Sequence, residues 1–447
     1  MSASRRNKAF PSVNKVATVL AVSLCYSGPS WALDAIGIHA HFNHYPQSSS
    51  TYLEMIKDTG FNSFRSDLAW NSIEQKKGVF AITGAGNQKE DEAFANGKSE
   101  YGLNALLVLA YGNNQYGNAI DYPRTPEAIE AFANYAAWVA TRYKGKVKYY
   151  EIWNEWLYGT GVTAQPRTVP PAEIYFELVK ATAEAVRKAD PNAVLMTGSY
   201  NPNVPRDAAW FESLMKMGIL DYIDGISIHP YSLKLPEDNF VAIDKLEKVA
   251  SGYAKKSVPI YITEVGNSTY TGFDGITEDA VAQFVVKYTL LAKARPYIKG
   301  LWWYDLLDDG PKATEKEQRY GFITQNGQPK MAALQFKKIA QIAHDYTVDD
   351  YQSSPDGKVK ISLNHNGQHA LMYWQQQPVQ SKPQPVSIAK SFKSMVKSDP
   401  DTSQGNIRMF DREFKGQVLY ESQVKEPSVP EDSPVLILSD KKITPPW

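Results

Sequence analysis

Lys148-Tyr-Tyr-Glu-Ile-Trp-Asn-Glu155 and Val258-Pro-Ile-Tyr-Ile-Thr-Glu264 each run through strand-forming residues and stop on a glutamate. β-Branched and aromatic side chains suit a pleated, half-buried surface, so both segments predict strands. Around them, short runs of the same kind occur at 35–41, 62–65, 105–111, 147–153, 193–198, 223–228, 258–263 and 299–304. Helical stretches lie between. Thr125 is a candidate N-cap with Pro126 at the first helical position, and Gly145 follows the end of that helix. Over 172–189, Ile174, Leu178, Ala181 and Ala185 share one face, and Pro191 stops the run. Segments 277–294 and 330–343 read in the same way.

Eight strands alternating with helices predict an α/β fold, a (β/α)8 TIM barrel. The rival is an open, doubly wound sheet, which places a glycine-rich phosphate loop after its first strand. Here the first strand runs into His39-Ala-His-Phe-Asn-His44, with no glycine to cradle a phosphate. Beyond His344 the character changes to short runs at 358–363, 370–374, 386–389, 407–410, 417–420 and 435–438. Pro, Gly, Asp and Asn separate them, so a small all-β, sandwich-like domain is expected.

The N-terminus reads as a leader. Arg5, Arg6, Lys8 and Lys15 precede the apolar run 16–26, and Ser30-Trp-Ala32 offers small residues for cleavage after Ala32. The apolar run is too short to span a bilayer, so no membrane association is predicted. The expected organisation is a signal peptide at 1–32, a catalytic barrel at 33–345 and a β domain at 346–447, in a periplasmic or secreted protein. The single cysteine, Cys25, falls inside the leader, so core burial has to supply the stability. The 48 basic and 48 acidic residues balance, with no basic stripe for nucleic acid. A monomer is expected.

In a (β/α)8 barrel the chemistry gathers at the C-terminal ends of the strands. Strand two ends at Arg65-Ser-Asp67, strand four at Asn154-Glu155 and strand six at His229-Pro-Tyr231. Strand seven ends at Glu264, and strand eight at Trp302-Trp-Tyr-Asp305. Two carboxyls delivered by separate strand ends suit glycosidic bond cleavage. One protonates the leaving oxygen, and the other attacks the sugar or activates water.

On these motifs the chain resembles glycoside hydrolase clan A, retaining glycosidases with glutamates at the ends of strands four and seven. Trp153-Asn-Glu155 matches the clan's acid/base motif, and Glu264 its nucleophile. Within the clan it resembles family 39 and its bacterial exopolysaccharide-hydrolase branch. That resemblance takes in Asp67-Leu-Ala-Trp-Asn-Ser-Ile-Glu74 with Gly78 and Trp303-Tyr-Asp-Leu-Leu-Asp-Asp-Gly310. It continues through Tyr320-Gly-Phe322 and Gly327-Gln-Pro-Lys330. Strand three ends in Tyr111-Gly-Asn-Asn114, where some clan families carry a histidine. The resemblance implies retention, a polysaccharide or oligosaccharide substrate, and no cofactor. The alternative is a carbohydrate-binding or exopolysaccharide biosynthesis and export component in which hydrolysis is secondary or lost.

Further residues take expected places around the two glutamates. Asn154 is a candidate for the sugar 2-hydroxyl, yet neighbours on a regular strand face opposite ways, so Asn154 and Glu155 share a pocket only if alternation breaks. Ile260, Ile262 and Glu264 share one strand face, expected to point inward. Tyr231 is expected to donate to Glu264, and His229 to contact substrate. Arg65 is a partner for Glu264 or for a buried Glu151. Trp303 is the expected platform under the sugar, with Trp302 as core, or the two in reverse order. His41 is expected to hydrogen-bond the sugar. His39, His41 and His44 lack an obvious third metal ligand, so no metal is expected.

Overall fold

The computed structural model describes residues 33–232, 234–376, 434–440 and 443, with the backbone alone of strands at 385–387, 407–410, 417–419 and 428–430. The proposed leader, 1–32, lies outside the described residues. Eight parallel strands run in chain order as β1 Ala35–His39, β2 Ser63–Ala69, β3 Asn104–Ala110, β4 Val147–Ile152, β5 Val194–Thr197, β6 Ile226–Ile228, β7 Ile260–Val265 and β8 Ile298–Trp303. They pair as β5-β4-β3-β2-β1-β8-β7-β6. Isolated parallel bridges Met196↔Gly225 and Tyr200↔Ile228 span the seam between β5 and β6, so the barrel is nearly closed.

The helices are α1 Ser49–Thr59, α2 Trp70–Ile73, α3 Ala85–Tyr101, α4 Pro126–Arg142, α5 Ala172–Ala189, α6 Pro205–Lys216, α7 Pro236–Ala254, α8 Glu278–Lys293 and α9 Met331–Asp345. The Thr125 hydroxyl caps α4 by accepting from Ala128 N, and Thr277 caps α8 through Ala280 N. Helix α5 buries Tyr175, Leu178, Val179, Thr182, Ala183 and Val186, a stripe rotated from the Ile174–Ala185 face expected from spacing. Helix α3 has a weaker sequence signal because it buries few side chains, chiefly Glu90, Ala93, Phe94 and Gly97.

Alternation along the strands divides the apolar residues into two layers. Ile36, Ile38, Ile260, Ile262 and Leu301 face the helices. Ala35, Leu106, Val108, Tyr149, Met196, Tyr261 and Trp302 fill the barrel interior. Trp302 donates its indole N–H to Ser63 Oγ at 2.9 Å. It fits only because both neighbours lack side chains. A Cβ on Gly37 would sit 2.3 Å from Trp302 Cδ1, and one on Gly300 2.3 Å from Trp302 Cζ3.

The C-terminal strands are β9 Thr347–Ser353, β10 Lys358–His365, β11 Gln368–Gln375, β12 Pro385–Ser387, β13 Ile407–Phe410, β14 Gln417–Leu419, β15 Ser428–Pro430 and β16 Val435–Ser439. Six form an antiparallel sheet in the order β14-β13-β16-β11-β10-β9, and β12 pairs with β15. Asn366 and Gly367, at φ 51° and 85°, make the two-residue turn between β10 and β11. Ile361, Leu363, Met372 and Trp374 join the same core as the barrel helices. The Trp374 indole donates to Glu237 at the start of α7.

Gly37→Ala forces a methyl group into the Trp302 ring. We expect it to destabilise the fold by about 1–3 kcal/mol, read as a lower urea midpoint at unchanged m-value. An unchanged midpoint would contradict this packing.

Candidate active site

The strand-four motif reaches the barrel mouth by leaving the pleat. Tyr149 and Glu151 face the interior, but Ile152 and Trp153 both face the helix layer. Trp153 and Glu155 adopt positive φ, 76° and 50°. Left-handed backbone costs a non-glycine residue about 1–3 kcal/mol. Here it turns Asn154 and Glu155 into one cleft of about 540 Å³, together with His39, His41, Tyr111, Thr160, Tyr231, Glu264, Tyr304 and Tyr320. The break that alternation required is present.

Glu264 arrives by a different device. The row Ile260–Ile262 faces the helices, contrary to the expected inward face, while Tyr261 and Thr263 face the interior. The β7–β8 register shifts between Ile262 and Val265, and this irregularity turns Glu264 into the cleft beside Thr263. A carboxylate oxygen of Glu264, one of Glu155 and a ring nitrogen of His229 all lie within 4.8 Å of one another.

Arg65 organises the floor. Its Nε donates to Glu151 Oε2 at 2.9 Å and its Nη1 to Glu264 Oε2 at 3.0 Å. Nη1 also lies 3.1 Å from His39 Nδ1, and Nη2 donates to Asn154 Oδ1 at 2.9 Å. Both carboxylate roles open to Arg65 from sequence are thus filled at once. Glu151, fully buried, also accepts from Ser227 Oγ at 2.7 Å and Thr263 Oγ1 at 3.1 Å. Burial lowers the pKa of His39 and the Arg65 charge lowers it further, against the contact with Glu264 and its charge.

Tyr231 donates to Glu264 Oε1 at 2.8 Å, as expected from sequence. Burial pulls the Glu264 carboxyl upward. The fields of His229 and Arg65 and the contact with His39 outweigh that and hold it well below the ordinary carboxylate range. Of these groups only Arg65 carries a fixed charge. Burial, then the Glu264 charge, pushes the Tyr231 phenol well up, so it stays a neutral donor.

Glu155 is held from two sides: Thr160 Oγ1 donates to Oε2 at 2.8 Å, and His229 Nδ1 lies 3.1 Å from Oε1. His229 is 2% exposed, and its partner here is Glu155. Trp303, the expected platform, is not among the cleft-lining residues. Opposite in parity to the interior Trp302, it points into the helix layer against Phe284, Tyr288 and Phe322. Neither tryptophan lines the cleft. The aromatic faces there belong to Tyr111, Tyr231, Tyr304 and Tyr320. His41 does line it, with a side chain 22% exposed.

From sequence His39 reads only as a candidate metal ligand, Tyr111, Tyr304 and Tyr320 stand in motifs without a site role, and Thr160 in none. His39 and Tyr111 end their strands, and Tyr304 follows the tryptophan pair, so strand-end position was the available signal. Thr160 lies in a loop whose path sequence does not disclose.

An eight-stranded barrel with clustered acids and a histidine at its mouth defines a clan A-like barrel glycoside hydrolase, a carbohydrate-acting enzyme. The family model for cellulase (glycosyl hydrolase family 5) matches residues 28–304. The chain belongs to that family. Similar solved structures spread across several families of the same barrel. A family 39 glycoside hydrolase from the gut symbiont Bacteroides cellulosilyticus WH2 matches with TM-score 0.72 and 21% identity, over 91% of this chain and 81% of that one. A GH5_18 protein from Bifidobacterium longum subsp. infantis matches with TM-score 0.55 and 13% identity, over 70% and 80%. Native xylanase 10B from Thermotoga maritima matches with TM-score 0.52 and 14% identity, over 69% and 96%. At these identities the likeness is one of fold.

Tyr231→Phe removes a donor from a carboxylate. A charge-assisted hydrogen bond of this kind is worth about tenfold to a hundredfold in rate. Without it the Glu264 carboxyl titrates higher, so the acid limb of the kcat/KM profile should move to higher pH. An unmoved acid limb would remove Tyr231 from the control of Glu264.

Proposed function

We propose that this enzyme cleaves glycosidic bonds with retention of anomeric configuration, with Glu155 as acid/base and Glu264 as nucleophile. The spacing of the two carboxyls is the supporting observation. One oxygen of each lies within 4.8 Å of one of the other, which supports the close pair of a retaining enzyme, about 5–5.5 Å apart, over the roughly 6.5–9.5 Å that an inverting enzyme needs for its water.

In the first half-reaction Glu264 attacks the anomeric carbon while Glu155 gives its proton to the departing oxygen. A glycosyl ester on Glu264 results. In the second, Glu155 takes a proton from water, the water oxygen attacks the anomeric carbon, and Glu264 leaves as carboxylate. Asn154 Oδ1 accepts from Arg65 and Nδ2 donates one hydrogen to Tyr111 Oη at 3.1 Å, which leaves the second hydrogen for the sugar 2-hydroxyl. Arg65 and His229 act through the glutamates as positioning residues.

The substrate in this reading is a polysaccharide, met outside the cytoplasm after a leader is removed. Four tyrosines suit it, since each offers a flat face and a hydroxyl to pyranose rings. The motifs through Gly310, Phe322 and Lys330 resemble those of exopolysaccharide-cleaving barrels, and that likeness supports an exopolysaccharide as the substrate. Among the described residues no helix is long and apolar enough to cross a membrane.

Glu155→Gln and Glu264→Gln should each lower kcat by about 10²–10⁴-fold or more, with thermal melting close to wild type. Near-normal turnover from either would sink the assignment. An activated 2-fluoroglycoside should leave its mass on the peptide carrying Glu264; label elsewhere reassigns the nucleophile. Carbohydrate binding without turnover in the wild type would favour the export-component reading. N-terminal sequencing of exported protein should begin at Leu33, and an intact Met1 would remove the leader.

A further inference from the structure

The segment after β8, Asp305-Leu-Leu-Asp-Asp309, carries three aspartates in different circumstances. Asp308 is neutralised by Lys330 at 2.9 Å and Arg319 at 3.1 Å. Asp305 is not. It is 0% exposed, yet among the described residues neither carboxylate oxygen has a hydrogen-bond partner. The buried Nε2 of His41 also lacks one, and at 3.9 Å from Asp305 Oδ2 it is beyond hydrogen-bonding reach. An oxygen of Asp309 completes the group, and all three ligand atoms lie within 4.8 Å of one another.

An unpaired buried carboxylate is among the costliest features a fold can hold. Two carboxylate oxygens and an imidazole nitrogen around one point are what a dication requires.

We propose that His41 Nε2 and one carboxylate oxygen each of Asp305 and Asp309 bind a divalent first-row transition metal ion of the Mn²⁺ or Zn²⁺ kind. The imidazole selects against Ca²⁺ and Mg²⁺, which prefer all-oxygen shells. Bonds of about 2.0–2.2 Å put neighbouring ligand atoms roughly 3.3 Å apart, so the 3.9 Å pair closes by a small side-chain movement. Asp309 is exposed, which gives the ion a path from solvent and room for water ligands. The ion would tie the end of β8 to the segment after β1 and hold the His41 ring, 6.0 Å from the Tyr304 ring, in the cleft wall. It takes no part in the glutamate chemistry.

The test uses untagged full-length protein, stripped with EDTA and titrated separately with MnCl₂, ZnCl₂, CaCl₂ and MgCl₂. Calorimetry, Mn²⁺ electron paramagnetic resonance and thermal melting supply the readouts. One equivalent of Mn²⁺ or Zn²⁺ should bind per chain and raise Tm by about 3 °C at a hundredfold excess over Kd. Asp309→Ala, at an exposed position, should weaken binding at least tenfold. Asp305→Asn should abolish binding and raise the metal-free Tm, because it removes an uncompensated charge. Glu155→Gln should leave the stoichiometry at one. Absence of stoichiometric binding, equal affinity in Asp309→Ala, tighter binding of Ca²⁺ or Mg²⁺, or loss of the ion in Glu155→Gln would each overturn the proposal.

Discussion

The Arg65 guanidinium, enclosed in the barrel with four partners, is the interaction on which the site depends. Its planar fork offers five N–H donors at fixed angles, and Glu151, Glu264, His39 and Asn154 occupy positions that the fork dictates. The pairing is obligatory in both directions. An unpaired guanidinium in this interior would cost several kcal/mol, and so would either carboxylate without it. Arg65 comes from β2, Glu151 from β4 and Glu264 from β7, so one side chain ties together strands distant in the chain.

This charge arrangement separates the two carboxyls at the cleft in kind. Glu264 has a fixed cation on one oxygen and a neutral phenol on the other, which suits a group that must stay ionised. Glu155 has a threonine hydroxyl and a histidine, and among the described residues no fixed cation touches it. In the proposed double displacement, such a contrast between neighbouring acids lets one pocket run acid and nucleophilic steps together. The layering beneath makes it possible: Trp302 closes the interior below, and the charged network occupies the level above it.

The strand ends are where local regularity is given up. Trp153 and Glu155 carry left-handed backbone, and β7 slips its register against β8 before Val265. Each departure delivers a polar side chain that alternation would have sent to the helices. Local strain is tolerated there because the surrounding barrel over-determines it.

Much was legible in the sequence alone. Strand-forming runs broken by helical stretches determined the barrel, since period and spacing are local properties of the chain. Strand-end position singled out Glu155, Glu264, Arg65 and Tyr231, because a parallel barrel presents every strand's C-terminal end on one face. Which way a side chain points at those ends was decided only in three dimensions. Ile260 and Ile262 face outward and Glu264 does not; Trp303 turns to the helices while Tyr304 enters the cleft; His229 contacts Glu155. The reason is physical: register and backbone handedness at a strand end follow from neighbouring strands far away in sequence. His41 and Asp305 meet only when β1 and β8 pair, and no local pattern announces that contact.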